Sequence, residues 1–338
     1  KLMTYEEIMH AAREATEGKC SVCRECDGRV CADRIPGPGS IGDVAARNFA
    51  KWREIRLNMD TLTDVKSVDT SVRLFGRTFS LPVFAGPVGA VALHYGKKYD
   101  DAHYNDILVH SCAESGICAF TGDGVDPEVM RSACSAIAEC GGCAVPTVKP
   151  WDSETIAEKT ALVENSGAFA VAMDVDAAGL PFLRGKTPPA GTKTEDELRK
   201  IIDNCKNLFI VKGIMTVRGA EKAIRAGAAA IVVSNHGGRV LAQCPSTAEV
   251  LPEIAKAVAG RAKVLVDGGI RSGADIFKAI ALGADGVLIA RPFITAVYGG
   301  GDEGVKMYIA RLRRELEDAM TMCGAADIAS ISRDMIRI

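Results

Sequence analysis

The chain has 338 residues, 48% hydrophobic and 25% charged, with 41 Lys and Arg against 43 Asp and Glu and a net charge of −2. That composition excludes a disordered or fibrous chain and supplies enough apolar material for one large core. The near-neutral balance sets up no long-range field toward nucleic acid or a membrane surface.

The first segment, Thr4 to about Glu17, reads as a helix: Thr4 and Glu7 have capping-box spacing, and Ile8, Ala11, Ala12 and Ala15 share one apolar side. Cys20, Cys23, Cys26 and Cys31 follow, spaced Cys-x2-Cys-x2-Cys-x4-Cys. Such spacing suits an iron–sulfur cubane, with a four-thiolate zinc site second and a set of reduced thiols as the plain reading. An iron–sulfur site would pass electrons to a redox partner protein. A breaker-rich loop, Arg34–Gly42, comes next, and residues 43–57 return to helical spacing.

From about residue 80 the pattern is regular. Apolar runs at Leu81–Gly86, Ile117–Thr121, Cys143–Val148, Phe169–Asp176, Leu208–Lys212, Ala229–Ser234, Lys263–Asp267 and Gly286–Ala290 alternate with helix-length segments. Continuous apolar strands between helices mean a parallel sheet covered on its outside, and eight such units mean closure into a (β/α)8 TIM barrel. No Gly-x-Gly-x-x-Gly follows an early strand, which argues against a dinucleotide-binding open sheet. Residues 1–75 read as a helical, cysteine-rich segment packed on a barrel of residues 76–338. A last helix is expected from Gly304 to about Cys323, and the Pro/Gly/Thr loop Gly185–Lys193 is placed on the catalytic face, as a lid or an ordinary loop.

Chemistry gathers at the C-terminal strand ends, where barrel active sites stand. Strand four ends in Asp174-Val175-Asp176, strand five in Lys212-Gly213, and strand six in Ser234-Asn235-His236-Gly237-Gly238-Arg239. His236 can take a proton near neutral pH, Arg239 offers a planar fork to a carboxylate, and Asp176 can orient the histidine. Lys212 either faces a cofactor that gains negative charge or pairs with Asp174 or Asp176. After strands seven and eight, Gly268 and Gly269 permit close backbone approach while Arg271 and Arg291 supply charge, an arrangement suited to a phosphate.

These residues resemble the FMN-dependent 2-hydroxy-acid oxidase and dehydrogenase family, which includes glycolate oxidase and lactate oxidase. The similarity is dense in Val211-Lys-Gly-Ile-Met-Thr216, Val233-Ser-Asn-His-Gly-Gly-Arg239, Val266-Asp-Gly-Gly-Ile-Arg271, Ala281-Leu-Gly-Ala-Asp285 and Arg291-Pro292. It extends back through Leu74-Phe-Gly76 and Val68-Asp-Thr-Ser71 to about Leu57. The resemblance implies hydride transfer from a small 2-hydroxy acid to FMN. In it His236 is the base, Asp176 its partner, Arg239 the grip on the substrate carboxylate, and Lys212 the cation beside the reduced flavin. Asp267, Gly269, Arg271 and Arg291 hold the ribityl phosphate. Gly86, Val88 and Thr121 touch the ring, with Ser234, Gly268 and Ala290 among the cofactor contacts.

The chain departs from that pattern in strand three, where Pro146 stands in place of a tyrosine and Ala144 in place of a glutamine, and near the N-terminus, where the cysteines replace a second tyrosine. Arg184 is the stand-in for a second substrate arginine. These departures leave two rivals, an FMN-dependent isomerase and a non-catalytic redox-sensing barrel. No apolar run is long enough to span a membrane, no secretory signal pattern opens the chain, and twelve cysteines do not suggest a secreted disulfide scaffold. A cytoplasmic homo-oligomer is expected.

Overall fold

A computed structural model describes residues 3–30 and 43–338; the loop Arg34–Gly42 and Cys31 lie outside the described residues. Eight parallel strands close into a barrel: Val83–Ala85, Cys118–Thr121, Ala144–Val148, Ala170–Asp174, Leu208–Ile214, Ala230–Val233, Lys263–Val266 and Gly286–Ile289. Each pairs with the next, and the eighth closes on the first through Val287 opposite Val83. All of the expected strands are present. They are legible because both faces are covered: the strand Ala170–Asp174 is buried at every position.

At the N-terminal end of the barrel a small hairpin, Val72–Leu74 with Arg77–Phe79, acts as a floor. Phe79 packs edge-on against Phe84 at 5.2 Å, and Phe84 against Phe120 at 5.7 Å. The outer helices start on side-chain caps where the sequence places them, as at Ser246 and Ser272, each in a capping box. Among the described residues no helix is long and apolar enough to cross a membrane.

Two N-terminal helices are added to the barrel. The first, α1 (Tyr5–Ala15), begins at the expected Thr4–Glu7 capping box and packs on the last helix, where Tyr5 stacks on Tyr308 at 6.1 Å. The second, α2 (Val44–Glu54), crosses the mouth of the barrel, and its Trp52 indole N–H donates to Gly268 O at 2.8 Å. Immediately after α2, Arg56–Leu57 pairs antiparallel with Ile336–Arg337 and ties the segment that follows α2 to the C-terminal strand.

Three elements differ from expectation. The last helix runs from Arg291 to Cys323, interrupted at Gly301 (φ 55°), so it starts well before Gly304. The glycine run there reads locally as a breaker, but Gly299 is required by packing: a Cβ on it would lie 2.0 Å from Ile8 O of α1. Strand four stops at Asp174, and Asp176 sits in the 3-10 turn Val175–Gly179. Strand five runs past Lys212 to Ile214 with an irregularity at Gly213 (φ 102°).

The contact of α2 with the seventh strand end yields a stability prediction. Gly269 has φ 82°, and a Cβ there would lie 2.4 Å from the Asn48 backbone; Gly260, at φ 76°, has nothing within 4 Å. Both alanine substitutions meet left-handed strain of about 1–2 kcal/mol, but only Gly269→Ala must also displace α2. Thermal unfolding is expected to show a clearly larger fall in Tm for Gly269→Ala than for Gly260→Ala. Equal losses would contradict the close packing.

Candidate active site

The C-terminal ends of the strands open into one cleft, which is lined by Gly86, Val88, Lys212, His236 and Arg239. Asp267, Gly268, Gly269, Arg271, Ala290 and Arg291 complete the side formed by strands seven and eight. Asp176, Thr121 and Ser234 do not line it: Asp176 stands behind His236, and Thr121 and Ser234 are buried. Arg184 is exposed and not part of the cleft lining.

The histidine loop is built by its glycines. His236, Gly237 and Gly238 all have positive φ, at 56°, 62° and 83°. A histidine held there is strained, and the Ser234 hydroxyl, accepting from His236 N at 3.2 Å, helps hold it. The glycines are needed for room as well: a Cβ on Gly238 would lie 2.8 Å from Ala45 N, and one on Gly237 3.2 Å from Arg291 Nη2. Asn48 of α2 and Asn235 exchange side-chain amide bonds at 2.8 and 2.9 Å, which locks α2 to this loop. The sequence reading missed Asn48; its one local signal is a buried polar residue on a helix of otherwise ordinary pattern.

His236 Nδ1 lies 3.0 Å from Asp176 Oδ1, and Nε2 lies 3.9 Å from Asp174 Oδ2. With the carboxylate accepting from Nδ1–H, Nε2 is left as the basic nitrogen facing the cleft. Asp176 fits because Gly213 has no side chain; a Cβ there would lie 2.6 Å from Asp176 Cγ. Burial alone would push the Asp176 carboxyl up. The charges of His236, Lys212 and Lys149 and the bond from His236 outweigh it and hold the carboxyl below its usual range.

Lys212 does not pair with Asp174 or Asp176 as the sequence allowed. Its Nζ lies 3.4 Å from Asp267 Oδ2, while Lys149 takes Asp174 at 2.8 Å. Burial alone would lower the Lys212 ammonium, but Asp267, Asp176 and Asp174 together keep it above the usual lysine value. Deeper in the wall, Asp123 accepts from the Trp151 indole at 2.6 Å and pairs with Lys159. Lys149, His94 and Tyr95, all absent from the sequence reading, line the cleft. Burial first, then the charges of Arg239, Lys149 and Lys19, push the His94 imidazole down to about 4.

The residues fit a bound phosphate-bearing cofactor. Arg271 donates to the carbonyls of Cys26 and Ile270 and to Cys26 Sγ, with no carboxylate among these acceptors. Buried Thr121 Oγ1 and Asp267 Oδ1 have no hydrogen-bond partner, an unmet capacity that a polar ligand would satisfy. The cysteines behave otherwise. The sulfurs of Cys20, Cys23 and Cys26 do not gather as a zinc tetrahedron requires; Cys20 Sγ accepts from Val22 N and Cys26 turns to Arg271. Among the described residues, the group close enough to hold an ion is Asp106, His110 and Glu139, on the outer helices. The Gly185–Lys193 loop is fastened to the third strand end by Gly191 N and Lys193 Nζ, both donating to Pro150 O at 3.0 Å.

The family model described as FMN-dependent dehydrogenase matches residues 37–185 and 184–338. The chain is similar to a peroxisomal (S)-2-hydroxy-acid oxidase of Oryza sativa subsp. japonica, 30% identical with 91% of each chain covered. It is also similar to an L-lactate dehydrogenase of Caulobacter vibrioides, 30% identical over 91% of this chain and 93% of that one. Among solved structures, a mandelate oxidase superposes with a TM-score of 0.79 at 25% identity, over 100% of this chain and 98% of that one.

Two tests follow from the buried charges. Lys149→Met leaves the Asp174 carboxylate, 2% exposed, without its ammonium and is expected to cost about 3–5 kcal/mol in chemical denaturation. A loss under about 1 kcal/mol would show the pair to be dispensable. Asp176, whose folded pKa is depressed, adds stability that is present above the unfolded value of about 3.9 and lost as pH falls through the folded value. The stability gap between wild type and Asp176→Asn is therefore expected to narrow on acidification below about pH 5; a gap that widens would reverse the sign assigned to Asp176.

Proposed function

The chain belongs to the FMN-dependent dehydrogenase family, and from that premise we infer that it oxidises a small 2-hydroxy acid to the 2-oxo acid. The observation that carries the reading is the His236–Asp176 pair at 3.0 Å beside Arg239 at the rim of the cleft. When bound, FMN supplies the acceptor for the hydride that leaves C2 with its electron pair.

His236 Nε2 takes the proton of the substrate hydroxyl as C2–O becomes a carbonyl. Asp176 fixes the imidazole through Nδ1 and stabilises the imidazolium that results, with Asp174 a second carboxylate 3.9 Å from Nε2. Arg239 grips the substrate carboxylate and so fixes which face of C2 is presented. Lys212, buried and kept cationic by the aspartates around it, would stand beside the ring and favour the extra negative charge. Arg271, Arg291 and the Gly268–Gly269 backbone would hold the phosphate, with Asp267 orienting Lys212.

Leu180 and Phe182 form an apolar wall near Arg239, His94 beside them is neutral, and Lys149 is already paired. The side chain of the substrate is therefore taken to be apolar, since among the described residues of that wall a second carboxylate would find no unpaired cation. The test is anaerobic: flavin bleaching is followed after mixing with 2-hydroxy acids. Bleaching with an apolar 2-hydroxy acid is expected, and His236→Gln is expected to slow it by about 100-fold or more while FMN stays bound. Unchanged reduction in that variant would remove His236 as the base, and no bleaching by any 2-hydroxy acid would overturn the reading.

A further inference from the structure

We propose that Tyr95 is a substrate-binding residue, its phenol and the Arg239 guanidinium together forming the seat of the substrate carboxylate. The proposal rests on the role given to Arg239 above. Tyr95 ends the short helix Val91–Tyr95 that follows strand one; it is 2% exposed and lines the cleft. Arg239 Nη2 donates to its oxygen at 2.9 Å. Because that bond uses the phenol as an acceptor, its own hydrogen points elsewhere, and among the described residues none accepts it. A carboxylate set against the pair takes N–H from Arg239 on one oxygen and O–H from Tyr95 on the other.

The surroundings hold the ring in place. His94 meets Tyr95 edge-on at 6.4 Å and Phe182 edge-on at 5.4 Å, so the loops after strands one and four close on the phenol together. His94 is neutral there and adds no rival cation. The positions on strand three and near the N-terminus where the sequence lacks a tyrosine are therefore served from a different loop. A phenol adds a donor without adding charge, which favours a carboxylate over a 2-hydroxy amide, whose NH2 cannot accept the phenolic hydrogen.

The experiment is calorimetric titration of the FMN-loaded protein with oxalate, which offers a carboxylate but no hydride. Tyr95→Phe removes one oxygen and is expected to weaken oxalate about tenfold or more, to raise KM more than it lowers kcat, and to leave FMN content unchanged. In a double-mutant cycle, Tyr95→Phe is expected to matter less once Arg239 is Lys, because one carboxylate serves both groups. Oxalate binding within about twofold of wild type, independent effects in the cycle, or a Tyr95→Phe protein that cannot load FMN would each overturn the assignment. A wild-type flavin that no 2-hydroxy acid reduces, with oxalate still weakened in Tyr95→Phe, sinks the oxidase reading and leaves Tyr95 standing. Normal turnover with unchanged oxalate binding does the reverse.

Discussion

Four aspartates stand at or just behind the mouth of this barrel, Asp123 and Asp174 buried and Asp176 and Asp267 partly so, and each has a basic partner: Asp123 with Lys159, Asp174 with Lys149, Asp267 with Lys212, and Asp176 with His236. A carboxylate removed from water without a counter-charge costs several kcal/mol, so no member can be lost alone. Apart from Lys159, which reaches in from the helix Ser153–Asn165, the partners sit on or just after strand ends from the second to the seventh, and the pairing therefore also fixes how those ends stand relative to one another. A chemically active rim thus doubles as a structural ring. Three pairs join lysine to aspartate; the fourth uses histidine, a residue type suited to general-base work, and that histidine faces the cleft.

Close packing serves the same end. The positive φ values at His236, Gly237, Gly238, Gly268 and Gly269 put two consecutive strand ends into conformations that side chains resist. Helix α2 lies over both, through the Asn48–Asn235 amide pair and the Trp52 bond to Gly268 O. The strain at His236 is thereby held by contacts from outside the barrel, and the imidazole is presented in one orientation before any ligand arrives.

What could be read from the sequence follows from how local each signal is. The strands are readable because burial on both faces leaves uninterrupted apolar runs. The Ser234–Arg239 segment is readable because strain, base and cation lie within six consecutive residues. Tyr95, Lys149 and Asn48 are silent for the opposite reason: each acts only where another loop, remote in sequence, comes to meet it. The last helix is expected only from Gly304 because Gly299, before it, gives no local sign of being a notch cut for Ile8 O. The cysteine spacing likewise reports which thiols are near along the chain, not whether their sulfurs converge.

The contact of α2 with the rim also bears on how the protein is made. Asn48 and Asn235 are 187 residues apart, and Trp52 and Gly268 are 216 apart. Contacts of such separation carry a large loop-closure entropy and form late. During synthesis α2 emerges early and waits, its Trp52 and Asn48 without partners, until the seventh strand has left the ribosome. The pairing of Arg56–Leu57 with Ile336–Arg337 waits longer still. A chain that stops short of the seventh strand holds the His236 segment but lacks Gly268, and α2 then has no seventh-strand end to cover.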